Sequence, residues 1–177
     1  WMGGDRDGNP FVTPEVTAET VRLLRTSALR RRIAGVEELS HRLSLSTRQS
    51  TVSEELSRSI REDAAHFPQL AEHVAHRNPN ELYRQKCAYI REKLLRSLAY
   101  TEGYQRASAA PRPAPGTFYL RRDELLADLR LMEKSLREND GEAIADGMIH
   151  DVIRTAEVFG LHTATLDLRQ HSERHES

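Results

Sequence analysis

At 177 residues, with 26 basic and 27 acidic side chains, the chain is long enough for one domain with a real core and is nearly neutral. That balance excludes a general nucleic-acid or membrane-surface binder, whose field would be strongly positive. A lone cysteine, Cys87, excludes an internal disulfide and fits a reducing, cytoplasmic compartment.

Trp1 precedes Met2 and no signal peptide or transmembrane run follows, so the expectation is a piece of a longer chain. Leu, Arg, Glu and Ala dominate, the composition of a helical protein with solvated faces. The first helix starts at Thr13-Pro14-Glu15. Threonine caps, proline suits the first helical position, and an early glutamate meets the positive end of the dipole. Val21, Leu24, Ala28, Ile33, Val36, Leu39 and Leu43 then form one apolar stripe, closed by a polar break from Ser46 to Ser53. Ser53-Glu54-Glu55 begins a second helix that runs to about Phe67-Pro68, and Asn78-Pro79 punctuates again. A third helix runs from Glu81 to about Arg106 with Leu82, Tyr89, Ile90, Leu94, Leu98 and Tyr104 on its apolar positions.

Residues 108–118 carry Pro111, Pro113, Pro115 and Gly116 and read as a stiff surface loop. Two more helices follow, roughly Arg122 to Glu138 and Glu142 to Phe159, the latter closed by Gly160. The end changes character: LHTATLDLRQ alternates with period two. As a strand it sets Leu161, Thr163, Thr165, Asp167 and Arg169 on one face. Such a face suits either the lining of a polar cavity or an exposed edge. A strand after five helices has no sheet partner here, so a sheet completed by other sequence is expected.

Charge and spacing alone leave the candidate sites open. GGDRDGNP lacks the frame of a phosphate loop. Asp5, Asp7 and Asn9 hint at a calcium loop, but glycine stands at the fourth position instead of the sixth and the twelfth is not glutamate. On spacing alone a Gly/Asn/Pro turn with solvated charges is the better reading. His73 with His76, and His171 with His175, have helical spacing without a third ligand and read as surface histidines. Arg30-Arg31-Arg32 reads as ion-pairing with acidic helices or solvated.

Three segments, WMGGDRDGNPFVTPEVT, NPNELYRQKCAYIREKL and EAIADGMIHDVIRTAEVFGLHTATLDLRQHSERHE, in that order, resemble phosphoenolpyruvate carboxylases. GGDRDGNP and FG-x5-LD-x-RQ-x-S are the specific motifs. The resemblance covers nearly the whole chain and implies one internal segment of the longer enzyme, residues 1–177. It implies a mainly α fold, with one or two short strands belonging to an incomplete (α/β) barrel. The family joins phosphoenolpyruvate to bicarbonate with Mg²⁺ or Mn²⁺, as a cytoplasmic homotetramer binding neither nucleic acid nor membrane. Its catalytic histidine and lysine and its metal carboxylates fall outside this chain, so the segment is expected to hold no metal and to be inactive alone. A non-catalytic helical scaffold that reuses the segment is the alternative.

Residue by residue, the resemblance makes Arg169 the arginine that grips the substrate phosphate, a task that suits a guanidinium fork. Asp5, Arg6, Asp7, Asn9, Asp167 and Gln170 become the surrounding shell. Where the family commonly reads Glu-Pro-Tyr-Arg, this chain has Glu81-Leu82-Tyr83-Arg84. In the plant branch that arginine helps bind a sugar-phosphate activator at a subunit contact, so Arg84 is an allosteric candidate. The exchange of proline for Leu82 bears on the local backbone there.

Overall fold

The computed structural model describes residues 11–46, 51–103, 111–139 and 141–163. Helices account for most of them: α1 (Pro14–Ser46), α2 (Glu54–His66), α3 (Pro68–Arg77), α4 (Leu82–Gly103), α5 (Arg122–Glu138), the short α6 (Glu142–Ile144) and α7 (His150–Phe159). A π-helical turn, Ala145–Ile149, joins α6 to α7. No strand forms among the described residues. The mainly α expectation holds. The strand expected from Leu161 to Arg169 enters the described part only at residues 161–163, which turn and bend; the remainder, like the extended segment near residues 1–8, lies outside it.

Local chemistry sets the helix ends. At α1, Thr13 accepts from the Val16 N–H through its hydroxyl (3.4 Å) and from the Thr17 N–H through its carbonyl (3.0 Å). Ser53 caps α2, its Oγ accepting from the Leu56 N–H at 3.2 Å. Glu124 on α5 reaches back to accept from the N–H groups of Leu120 (2.7 Å) and Arg121 (3.0 Å). The sequence reading stops at Phe67-Pro68, yet a helix follows. Pro68 opens α3 at its first position, where a missing N–H costs nothing. The final helical stretch is interrupted at Gly147, whose φ −93°, ψ −105° breaks the ladder.

Packing follows the apolar stripes. Ala28, Leu29, Val36, Leu39 and Leu43 of α1 are buried and face a core built with Ile90 and Leu94 of α4 and Leu125, Leu129 and Met132 of α5. Each fully buried leucine stabilises by about 1.5–3 kcal/mol. An exposed ion pair such as Arg42 with Glu38 contributes about 0.5 kcal/mol. Burial of apolar side chains therefore dominates. The stripe ends early at its N-terminal side, where Val21 is 49% exposed. Residues 111–116 form a loop whose tip lies at the surface, but Thr117, Phe118 and Tyr119 turn inward and are buried. Arg25 of α1 fastens this return, its Nη2 donating to the carbonyls of Tyr119 (3.1 Å) and Leu120 (3.2 Å) and its Nε to Thr101 Oγ1 (3.2 Å).

Candidate functional site

Asp5, Arg6, Asp7, Asn9, Asp167, Arg169 and Gln170 lie outside the described residues. Their flanks are described. The capped start of α1 receives the chain from residues 1–10. At the other end, Gly160 closes α7 with φ 55°, ψ −140°, a conformation closed to most side chains, while its N–H donates to the Ala156 carbonyl at 2.9 Å. Leu161, 1% exposed, then anchors the chain in the core before residues 164–170. Both motif segments thus leave from fixed points.

Arg84 is described. Glu81, just before α4, takes the first helical hydrogen bond on its carbonyl, from the Gln85 N–H at 3.0 Å. Leu82 is therefore the first helical residue, the position where proline and leucine are both tolerated. Exchanging the family's proline leaves a helix start in place. The Arg84 Nη1 donates to Glu81 Oε2 at 2.5 Å, while its Nε is buried without a hydrogen-bond partner among the described residues. Beside it lies a cavity of about 400 Å³ lined by His41, Arg77, Arg84, Cys87 and Arg91, with Glu37 on its wall. Glu37 accepts from Arg91 Nε at 2.5 Å and Glu81 from Arg84, so among the described residues two acids face three arginines. The Cys87 thiol is pushed up to about 12 by burial, against the pull of Arg84 and Lys86, and stays protonated. The cavity is electropositive and its thiol is inert.

A second constellation is not apparent in the sequence. Lys86 is fully buried and its Nζ donates to Ser59 Oγ (2.6 Å), Asp63 Oδ2 (2.7 Å) and Asp128 Oδ1 (2.6 Å). Lys93 bridges the same acids, at 2.6 Å from Asp63 Oδ1 and 3.1 Å from Asp128 Oδ2. The Tyr119 hydroxyl donates to Asp128 Oδ2 at 2.5 Å. Two cations meet two anions, and all three protons of the Lys86 ammonium are used. Such closure fastens α2, α4, α5 and the inward loop to each other; it leaves no group of Lys86 free for chemistry. A trace was present in the sequence: Asp63 falls on the stripe of Leu56, Ile60 and Phe67, where a carboxylate needs a buried partner.

His73 and His76 are exposed on α3. Among the described residues no group of three or more His, Cys, Asp or Glu is placed to hold a metal ion. Of the arginine triplet, Arg30 pairs with Glu102 at 2.9 Å as expected, Arg31 is exposed, and Arg32 is buried without an acidic partner among the described residues. That last placement corrects the expectation of an ion-paired or solvated triplet. No described helix is long and apolar enough to cross a membrane.

A family model described as phosphoenolpyruvate carboxylase matches residues 1–177. The chain is 56% identical over 179 residues to a phosphoenolpyruvate carboxylase of Roseiflexus castenholzii, an alignment that covers 99% of this chain and 19% of that protein. It is 37% identical over 179 residues to the Thermosynechococcus vestitus protein of that name, covering 99% of this chain and 17% of the relative. With phosphoenolpyruvate carboxylase 2 of Sorghum bicolor the identity is 36% over 178 residues, 99% of this chain and 18% of the relative. The chain spans about a fifth of the length of these relatives. It belongs to the phosphoenolpyruvate carboxylase family.

Proposed function

We propose that the longer protein containing this chain carboxylates phosphoenolpyruvate with bicarbonate, yielding oxaloacetate and inorganic phosphate. The match of the whole chain to the family, with both specific motifs intact, carries this reading. A bicarbonate oxygen attacks phosphorus and the enol oxygen leaves, giving carboxyphosphate and the enolate of pyruvate. The enolate carbon then bonds the carboxyl carbon and phosphate departs. Arg169 grips the phosphoryl oxygens with its two-pronged guanidinium, and Asp167 orients it. Asp5, Arg6, Asp7, Asn9 and Gln170 form the hydrogen-bonded shell. Mg²⁺ or Mn²⁺ is held by carboxylates outside this chain. The assembly is a cytoplasmic homotetramer that binds neither nucleic acid nor membrane.

Phosphate release from phosphoenolpyruvate with bicarbonate and Mg²⁺ tests this. The pure 177-residue chain is expected to release none, and the longer protein to turn over. A longer protein without turnover would favour the non-catalytic scaffold; turnover by the isolated chain would overturn the division of labour proposed here.

Arg84 carries a regulatory reading. Its unpartnered Nε and the arginines beside it favour a phosphoryl anion. In the longer protein, Arg84→Gln is expected to weaken activation by a sugar phosphate about tenfold or more, the scale of one lost charge-assisted contact, with basal turnover kept. Unchanged activation constants would remove Arg84 from that role.

A further inference from the structure

We propose that a cavity between α1 and α7 binds a small oxyanion-bearing metabolite, with phosphate or carboxylate as the recognised group and Arg32 as its receptor. Arg32 is 5% exposed, and its Nε has no hydrogen-bond partner among the described residues. Guanidinium does not shed its proton under ordinary conditions, so this charge remains in the wall of the fold. A buried ion without a counter-ion is strongly unfavourable, and the neighbouring Arg31 adds repulsion. Burial first, and Arg31 second, push the Arg32 guanidinium below its ordinary value. An anion relieves both.

The space for one is present. Arg31 and Arg32 line a cavity of about 680 Å³ together with Ser27 and Gly35 of α1 and Asp151 and Thr155 of α7. Small-ligand sites span roughly 300–1,000 Å³, so a metabolite fits where a single carboxylate side chain would leave most of the volume empty. Among the described residues the charged groups on the lining are Arg31, Arg32 and Asp151, two cations against one anion. Asp151 is exposed and forms no ion pair with either arginine among the described residues, so it does not neutralise Arg32. Its backbone carbonyl already takes the Thr155 hydroxyl proton at 2.6 Å, which leaves the hydroxyls of Ser27 and Thr163 on the lining as donors to an anion. Val152 and the half-exposed Phe159 supply an apolar wall for the carbon part of the ligand.

The test titrates inorganic phosphate, and separately malonate, into the 177-residue chain and into the longer protein, at constant ionic strength, by calorimetry. Arg32→Met removes the charge while keeping the volume of the stem. Arg30→Met is the control, since Arg30 is spent on Glu102 at the surface. Binding of one anion to both proteins is expected, weakened about tenfold or more by Arg32→Met and unaffected by Arg30→Met. If Arg32→Met does not fold, the ¹⁵Nε resonance of Arg32 in the unsubstituted chain replaces it and is expected to shift with the titration. Binding that survives Arg32→Met, or a resonance that does not move, overturns the proposal. So does binding to the chain but not to the longer protein, which would mean that a carboxylate of the remaining sequence fills the cavity.

Discussion

Asp128→Ala is expected to cost the fold about 3–5 kcal/mol, the range for removing one partner of a buried ion pair. The substitution would leave Lys86 and Lys93 to share Asp63 as their one carboxylate among the described residues, and the Tyr119 hydroxyl without its acceptor. With a typical domain stability of about 5–15 kcal/mol, that is a large fraction of the total. Glu38→Ala, at an exposed pair with Arg42, should stay within about 0.5 kcal/mol and serves as the comparison. Urea unfolding of both variants separates a fastened core from a decorative one.

The same cluster sets a pH window. Burial pushes the Asp128 carboxyl up, but the charges of Lys86 and Lys93 outweigh it and hold the group below its usual value. Its contribution is thus complete above the unfolded carboxylate value of about 3.9 and is lost as pH falls through the depressed folded value. For Lys93, burial acts downward while Asp128 and Asp63 raise it, with a net rise. That contribution is complete below about 10.4 and is lost as pH rises through the raised value. The stability difference between the original chain and Asp128→Ala should therefore be largest between roughly pH 5 and 9 and shrink toward acid. A difference that grows on acidification would contradict the assignment.

Arg169→Lys in the longer protein is expected to lower kcat/KM for phosphoenolpyruvate by about ten- to a hundredfold. Lysine keeps the charge and loses the planar fork, and charge-assisted contacts of this kind are worth roughly 1.5–3 kcal/mol. Melting temperature should scarcely change. An arginine on an exposed edge would instead leave turnover intact under the same substitution.

How much of this was legible in the sequence depends on how local the cause is. Thr13-Pro14 and Ser53-Glu54 announced α1 and α2 because a cap is settled by three or four neighbouring residues. Phe67-Pro68 is ambiguous, since proline ends one helix and begins another with equal ease, and α3 is not legible there. The π turn at Ala145–Ile149 was invisible because the apolar spacing runs on through Gly147. The Lys86 cluster joins residues 23 and 42 positions apart, and charged residues on a helix read as solvated until the fold brings them together. Arg32 failed for the same reason: no feature of Arg30-Arg31-Arg32 tells which guanidinium turns inward. The candidate substrate site was legible only as motifs. Composition leaves GGDRDGNP between a turn and a binding loop, because the spacing of its glycines and charges fits no known ligand frame.

The central claim is that this segment supplies the phosphate grip of a phosphoenolpyruvate carboxylase. Steady-state kinetics of Arg169→Ala in the longer protein, with the melting temperature as folding control, tests it most directly. Alanine leaves the phosphoryl group with one cation fewer in a partly desolvated site. A folded variant with kcat/KM for phosphoenolpyruvate reduced about a hundredfold or more is the predicted result. A folded variant with unchanged kcat/KM would contradict it.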